Sequence, residues 1–125
     1  MLRSRKPRVL LLDDDPSMQR LVSTILKREG YKVEVFLTGR DAIAAIDTEP
    51  FNVMLLDLMM PNEGGITVVR HLEKKNPAKL NHVIVLTASP KSVIATIKDS
   101  VADVVQKPFE TAELISAVRR VASRT

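Results

Sequence analysis

The chain has 125 residues, no cysteine and a formal net charge of +4. That length is one domain by size, and such a chain buries roughly two-thirds of its unfolded surface, enough to fold without a disulfide or a structural metal. Absence of cysteine excludes thiol catalysis and Cys-based zinc sites. No apolar run approaches the ~20 residues that span a bilayer, and Met1-Leu2-Arg3-Ser4-Arg5-Lys6 leads into no signal core, so a cytoplasmic domain without a membrane partner is expected.

Arg3, Arg5, Lys6 and Arg8 sit in or beside a basic N-terminal arm, residues 1–7, and the other basic residues are dispersed. Three Phe and one Tyr supply little base-stacking surface, so no direct nucleic-acid binding by this domain is expected.

Arg8 to Leu12 reads as a first strand. Asp13-Asp14-Asp15-Pro16-Ser17 then offers capping and turn chemistry, with Pro tolerated in a first helical turn. Met18, Leu21, Val22, Ile25 and Leu26 recur at helical spacing, and Gly30 ends that helix. Tyr31 to Phe36 alternates, with Tyr31, Val33 and Val35 opposed to Lys32 and Glu34, as a half-covered strand does. Thr38-Gly39-Arg40-Asp41 opens a short helix with Ala42, Ile43, Ala45 and Ile46 on its apolar side.

Pro50 breaks that helix. Phe51-Asn52-Val53-Met54-Leu55-Leu56 then runs into Asp57, and the following loop carries Pro61, Asn62, Gly64 and Gly65. A continuous apolar run between turn signals fits a strand buried on both faces of a parallel sheet. Ile66, Val69, His71 and Leu72 mark a third helix, stopped near Asn76-Pro77. Val83 to Leu86 is a fourth strand that delivers Thr87. Ser92 to Lys98 is a weakly marked fourth helix, and Val101 to Val105 a fifth strand that delivers Lys107 before Pro108. Leu114, Ile115, Val118 and Val121 define the last helix, with Arg119 and Arg120 turned away.

Strands alternating with helices imply a parallel sheet covered on both faces. The expected fold is a flavodoxin-like three-layer α/β sandwich with five helices. In the strand order 2-1-3-4-5, the ends of strands one, three, four and five line one edge, where such sheets bind ligands. Asp13, Asp14, Asp57, Thr87 and Lys107 then meet there. Crowded carboxylates repel, and a hard divalent cation with oxygen ligands relieves them; Mg²⁺ typically takes one or two carboxylates and keeps several waters. One carboxylate can act as a nucleophile toward phosphorus, giving an acyl phosphate. A hydroxyl at Thr87 and a point charge at Lys107 suit the oxygens of a transferred phosphoryl group. Asp13 and Asp14 could instead cap the first helix, but that role occupies only one of them. His71 and His82 have no partner that suggests catalysis.

Four motifs in order, Leu11-Leu12-Asp13-Asp14-Asp15-Pro16, Leu55-Leu56-Asp57-Leu58-Met59-Met60-Pro61, Leu86-Thr87-Ala88 and Lys107-Pro108-Phe109, resemble the receiver domain of bacterial two-component response regulators. The likeness runs over about residues 7 to 123, with the receiver bounded at 8–123. It implies that Asp57 accepts a phosphoryl group from a phosphohistidine on a sensor histidine kinase or a histidine phosphotransfer protein. It further implies Mg²⁺ on Asp14 and Asp57, on Asp13 mostly through water, and on the main-chain carbonyl of Met59. Thr87 and Lys107 would hold the phosphoryl oxygens, with a cis Lys107–Pro108 peptide. The chain would be a signalling phosphoacceptor that catalyses its own phosphorylation and dephosphorylation rather than an enzyme acting on a separate substrate.

The chain departs from that family in several places. Val104 stands where the family usually has the aromatic switch residue, which puts the usual readout through strand five and helix five in doubt and leaves the output partner unknown. Helix four and the loop before it look about two residues short, and Ser100-Val101 replaces a common glycine. Met59 and Ser89, at positions that tune phosphoryl lifetime in the family, carry no acid or amide to orient a water, so slow autodephosphorylation is expected. Two other readings compete. One is a haloacid-dehalogenase-like phosphatase, with Asp13-Asp14-Asp15 supplying its first-strand acids. The other is a degenerate receiver that only binds partners.

Overall fold

The computed structural model describes residues 6–61 and 63–124. Asn62 and the first five positions of the basic arm lie outside the described residues. Five strands, β1 (Arg8–Leu12), β2 (Lys32–Phe36), β3 (Val53–Leu56), β4 (Val83–Thr87) and β5 (Asp103–Gln106), form one parallel sheet in the expected order 2-1-3-4-5. The helices are α1 (Pro16–Arg28), α2 (Gly39–Thr48), α3 (Gly65–Lys75), α4 (Lys91–Ala95) and α5 (Thr111–Ala122).

The double-faced burial anticipated from the apolar runs is present. Val9 and Leu11 of β1, Val53 and Leu55 of β3, and Ile84 and Leu86 of β4 point into a core with Val22, Leu26, Leu114 and Val118 of α1 and α5. Their neighbours Leu10, Leu12, Met54, Leu56, Val83 and Val85 point the other way, against Ala42, Ile46, Val69 and Leu72 of α2 and α3. A residue slip in any central strand would exchange these two sets, so the register is strongly fixed. The result is the flavodoxin-like three-layer sandwich.

Several expectations need correcting. Leu21 is 47% exposed and Val35 39% exposed, so neither belongs to the core stripe that spacing assigned it. Arg8 opens β1 as expected, but its charge, grouped with the basic arm, is not free: the guanidinium pairs with Glu34 (2.6 Å) and Glu49 (2.7 Å) and lies over the Phe51 ring. A 3-10 helix, Pro77–His82, follows α3 where only a stop was expected. Helix α4 ends at Ala95, not Lys98: the Thr96 hydroxyl donates to Val93 O (2.7 Å), and the chain continues in turns closed at Ile97 and Ser100. A hydroxyl bonding the carbonyl three residues back competes with the helical ladder. Strand β5 starts at Asp103, two residues later than expected; the Asp103 carboxylate accepts from Val104 N (2.8 Å).

Candidate functional site

Three residues leave their strands with the ladder still holding the main chain. Asp13 N donates to Phe36 O (3.3 Å), Asp57 N to Leu12 O (3.0 Å) and Lys107 N to Thr87 O (2.9 Å). Sheet hydrogen bonding therefore carries these three side chains to the carboxyl edge. Asp13, Asp14 and Asp57 each bring a carboxylate oxygen to within 4.8 Å of the others.

Capping of α1 falls to neither Asp13 nor Asp14. Asp15 is the N-cap, its carboxylate accepting from Ser17 N (2.9 Å), which leaves the two preceding acids to the cleft. Asp13 is buried, with Oδ1 accepting from Asp15 N (2.9 Å) and Oδ2 from Lys107 Nζ (2.8 Å). Asp14 is exposed, and Asp57 lies between the two in burial.

Lys107 Nζ also reaches Asp57 Oδ2 at 3.4 Å. Burial pulls the ammonium's pKa down, but the hydrogen bond it donates to Asp13 and the charges of Asp57 and Asp13 outweigh it, leaving the pKa above that of an ordinary lysine. Thr87, fully buried, donates its hydroxyl to Asp57 Oδ1 at 3.0 Å. Asp57 is thus held at both oxygens, by a hydroxyl on one and an ammonium on the other. The Lys107–Pro108 peptide is cis, as the resemblance implied.

The loop after β3 presses on Asp57 from behind. Gly65 N donates to Asp57 O at 2.6 Å, and a Cβ at Gly65 would lie 2.5 Å from that same oxygen. A Cβ at Gly64 would lie 2.7 Å from Leu58 O. Only glycine permits so close a main-chain approach. Gly39 N donates to Glu63 O (2.6 Å), tying the start of α2 to the same loop.

Sequence reasoning missed Gln19, whose Nε2 donates to Asp13 O at 2.6 Å. Recognising Asp15 as the cap would have placed Gln19 on the first turn facing back toward Asp13. Ser89, noted from sequence only for lifetime, is buried against Thr87 (Oγ–Oγ 2.8 Å). Met59 holds its side chain in solvent, 58% exposed. Val104 is half-buried in a groove of about 410 Å³ bordered by Lys91, Ile94, Lys98, Gln106 and Glu113. His71 binds the Asp47 carboxylate from α3 to α2, and His82 contacts Asn52 O, both away from the acids. The larger depression, about 550 Å³ beside Glu29, Ala112 and Arg119, is lined by none of the site residues. The acids Asp13, Asp14 and Asp57 thus gather away from that depression, at the carboxyl edge of the sheet.

Among the described residues no helix is long and apolar enough to cross a membrane. The family model for the response regulator receiver domain matches residues 9–119. The DNA-binding response regulator MtrA of Mycolicibacterium smegmatis is 33% identical over 116 residues, 91% of this chain and 50% of that protein. The chain thus spans about half the length of the curated relatives it matches. Among solved structures, the receiver domain of Francisella response regulator 1452 superposes with a TM-score of 0.82 at 33% identity, covering 95% of this chain and 98% of that one. TrrA of Thermotoga maritima, in complex with Mg²⁺-BeF, gives 0.81 at 26% identity, covering 92% and 98%. Strand order, acidic edge and family match agree, and the chain belongs to the response regulator receiver domain family.

Proposed function

We propose that Asp57 is a phosphoacceptor, loaded from a phosphohistidine on a sensor histidine kinase or histidine phosphotransfer protein. An Asp57 carboxylate oxygen forms the new P–O bond as the P–N bond breaks, and its electron pair returns to the imidazole nitrogen. The observation that carries this reading is the double hold on Asp57, Thr87 on Oδ1 and Lys107 on Oδ2, inside a cluster of acids. Both groups can pass from the carboxylate to the oxygens of the incoming phosphoryl group, so the protein's contribution is positioning and charge neutralisation. The domain catalyses its own phosphorylation and dephosphorylation and turns over no separate substrate.

The donor set fits Mg²⁺. Three carboxylates against one ammonium leave two negative charges uncompensated, and hard oxygen donors match that ion. Asp14 and Asp57 would hold it, with Asp13 mostly through water and Met59 through its carbonyl. When bound, the ion supplies charge neutralisation at the phosphoryl oxygens.

The readout departs from the family pattern at Val104, which has no ring to swing inward and leaves the groove beside it open. The output lies with a partner or a further domain; the relatives' names point to DNA-binding regulators, and this domain is assigned no nucleic-acid contact of its own. A phosphatase of the haloacid-dehalogenase type is disfavoured because its nucleophile would fall on the first strand, where Asp13 is fully buried while Asp57 is not. The intact set Asp14, Asp57, Thr87 and Lys107 weighs against a degenerate binding module.

The test is mass spectrometry after Mg²⁺ with acetyl phosphate or phosphoramidate. A gain of one phosphoryl group that vanishes in Asp57→Asn is expected. No gain in the unaltered chain would move the assignment to the binding module, and steady hydrolysis of small phosphate esters to the phosphatase.

A further inference from the structure

We infer that Ser89 is a positioning residue for phosphoryl transfer, acting through Thr87; the inference rests on Asp57 being the phosphoacceptor. Ser89 lies in the loop between β4 and α4, 7% exposed, immediately before Pro90, the N-cap of α4. Its main-chain N–H donates to Thr87 Oγ at 3.1 Å, and its own Oγ lies 2.8 Å from the same atom.

Counting protons assigns the direction of that second contact. A Thr hydroxyl has one proton and two acceptor sites, and an ionised carboxylate only accepts. Asp57 Oδ1 lies 3.0 Å from Thr87 Oγ, so the single Thr87 proton is directed to Asp57. Ser89 must then supply the proton of the Oγ–Oγ bond. Thr87 Oγ accepts twice from Ser89 and donates once to Asp57, which fills its capacity. Were the Ser89 hydroxyl absent, Thr87 Oγ would lose one of the two donors that fix its position, and the Thr87 rotamer would be held by the Ser89 N–H and Asp57 alone.

The orientation matters because the Thr87 proton is aimed at the place where phosphoryl oxygens arrive. A donor already aimed there needs no reorganisation during transfer. Ser89 touches no reacting atom; its effect passes wholly through the Thr87 hydroxyl.

The experiment measures phosphorylation of Asp57 by saturating phosphoramidate with Mg²⁺, in the unaltered chain and in Ser89→Ala, Ser89→Thr and Ser89→Val. There the Asp57 oxygen forms the P–O bond, the P–N bond breaks and ammonia leaves with its electron pair. Ser89→Ala is expected to slow the reaction about three- to tenfold, the worth of one neutral hydrogen bond, without changing the half-saturating Mg²⁺ concentration. Threonine and valine have nearly the same shape, so a faster Ser89→Thr than Ser89→Val isolates the hydroxyl from packing. In a Thr87→Ala background, Ser89→Ala should add nothing. Three-bond couplings of the Thr87 methyl carbon in the unphosphorylated protein should report one rotamer, and averaging in Ser89→Ala. A Ser89→Ala rate within twofold of the unaltered chain, or the same slowing with Thr87 already removed, would overturn the role of Ser89 alone. No phosphoryl gain in the unaltered chain would remove the phosphoacceptor reading and this inference together.

Discussion

The Lys107 ammonium is held more closely by Asp13 than by Asp57, 2.8 Å against 3.4 Å. Asp13 is 1% exposed, so Lys107 is the charge that makes its burial tolerable. Lys107→Met should therefore lower the unfolding free energy by about 2 kcal/mol in metal-free buffer, the scale of a lost hydrogen bond to a charged group. Urea denaturation measures it, and part of the loss should return on adding Mg²⁺. Equal stability of the two proteins without metal would contradict this reading of the pair.

Metal binding to the folded state alone must stabilise it. At Mg²⁺ roughly ten times its dissociation constant, the gain is about 1.4 kcal/mol. Asp14 is exposed and adds to the repulsion among the acids, so Asp14→Asn should raise the metal-free stability slightly while removing most of that gain. Thermal unfolding with and without Mg²⁺ compares the two proteins.

Gly65 and Gly30 offer a contrast between crowding and strain. A Cβ at Gly65 would sit 2.5 Å from Asp57 O, so Gly65→Ala must push the Asp57 main chain and should cost about 1–3 kcal/mol. Phosphorylation should slow with it. At Gly30 the φ of +91° is the only obstacle, with nothing near the added carbon. Gly30→Ala should cost about 1 kcal/mol and leave the phosphorylation rate alone. Rates that fall equally in both would show that the Gly65 effect is loss of stability and not displacement of Asp57.

Without a ring at position 104, the response to phosphorylation should concentrate in the loop of Ala88, Ser89 and Pro90 and in α4. Amide shift changes on adding a phosphoryl mimic would map it. Large changes through β5 and α5 would defeat the proposal of an atypical readout.

Met59 projects into solvent and offers nothing to orient a hydrolytic water. The phospho-Asp57 species should decay slowly, and Met59→Asn should hasten the decay. A half-life of seconds in the unaltered chain would contradict this.

Legibility followed burial. The runs Val9 to Leu12, Val53 to Leu56 and Val83 to Leu86 are covered on both faces, so composition alone marked them, and with them the edge that gathers Asp13, Asp57 and Thr87. Where one face is open, spacing misled: Leu21 and Val35 keep the apolar period yet stand in solvent. The stretch from Thr96 to Asp103 was misread because side-chain bonds from Thr96 and Asp103 to nearby main chain set the boundaries there. Partners such as Gln19 and Ser89 were invisible as contacts, since their roles depend on which atom of a neighbour they face, which residue type does not state.

Asp13 and Lys107 stand 94 positions apart in the chain. Their contact joins β1, the first strand made, to the turn after β5, the last. During synthesis the acids of β1 and β3 emerge before Lys107, the cation paired with them among the described residues, exists. An unfinished chain therefore carries these acids without the ammonium that pairs with Asp13 and Asp57. With Asp57 as the proposed phosphoacceptor, competence to take a phosphoryl group becomes a statement that the whole sheet has closed, and a chain halted before position 107 is expected to be silent to a phosphoryl donor however well its first three strands had paired.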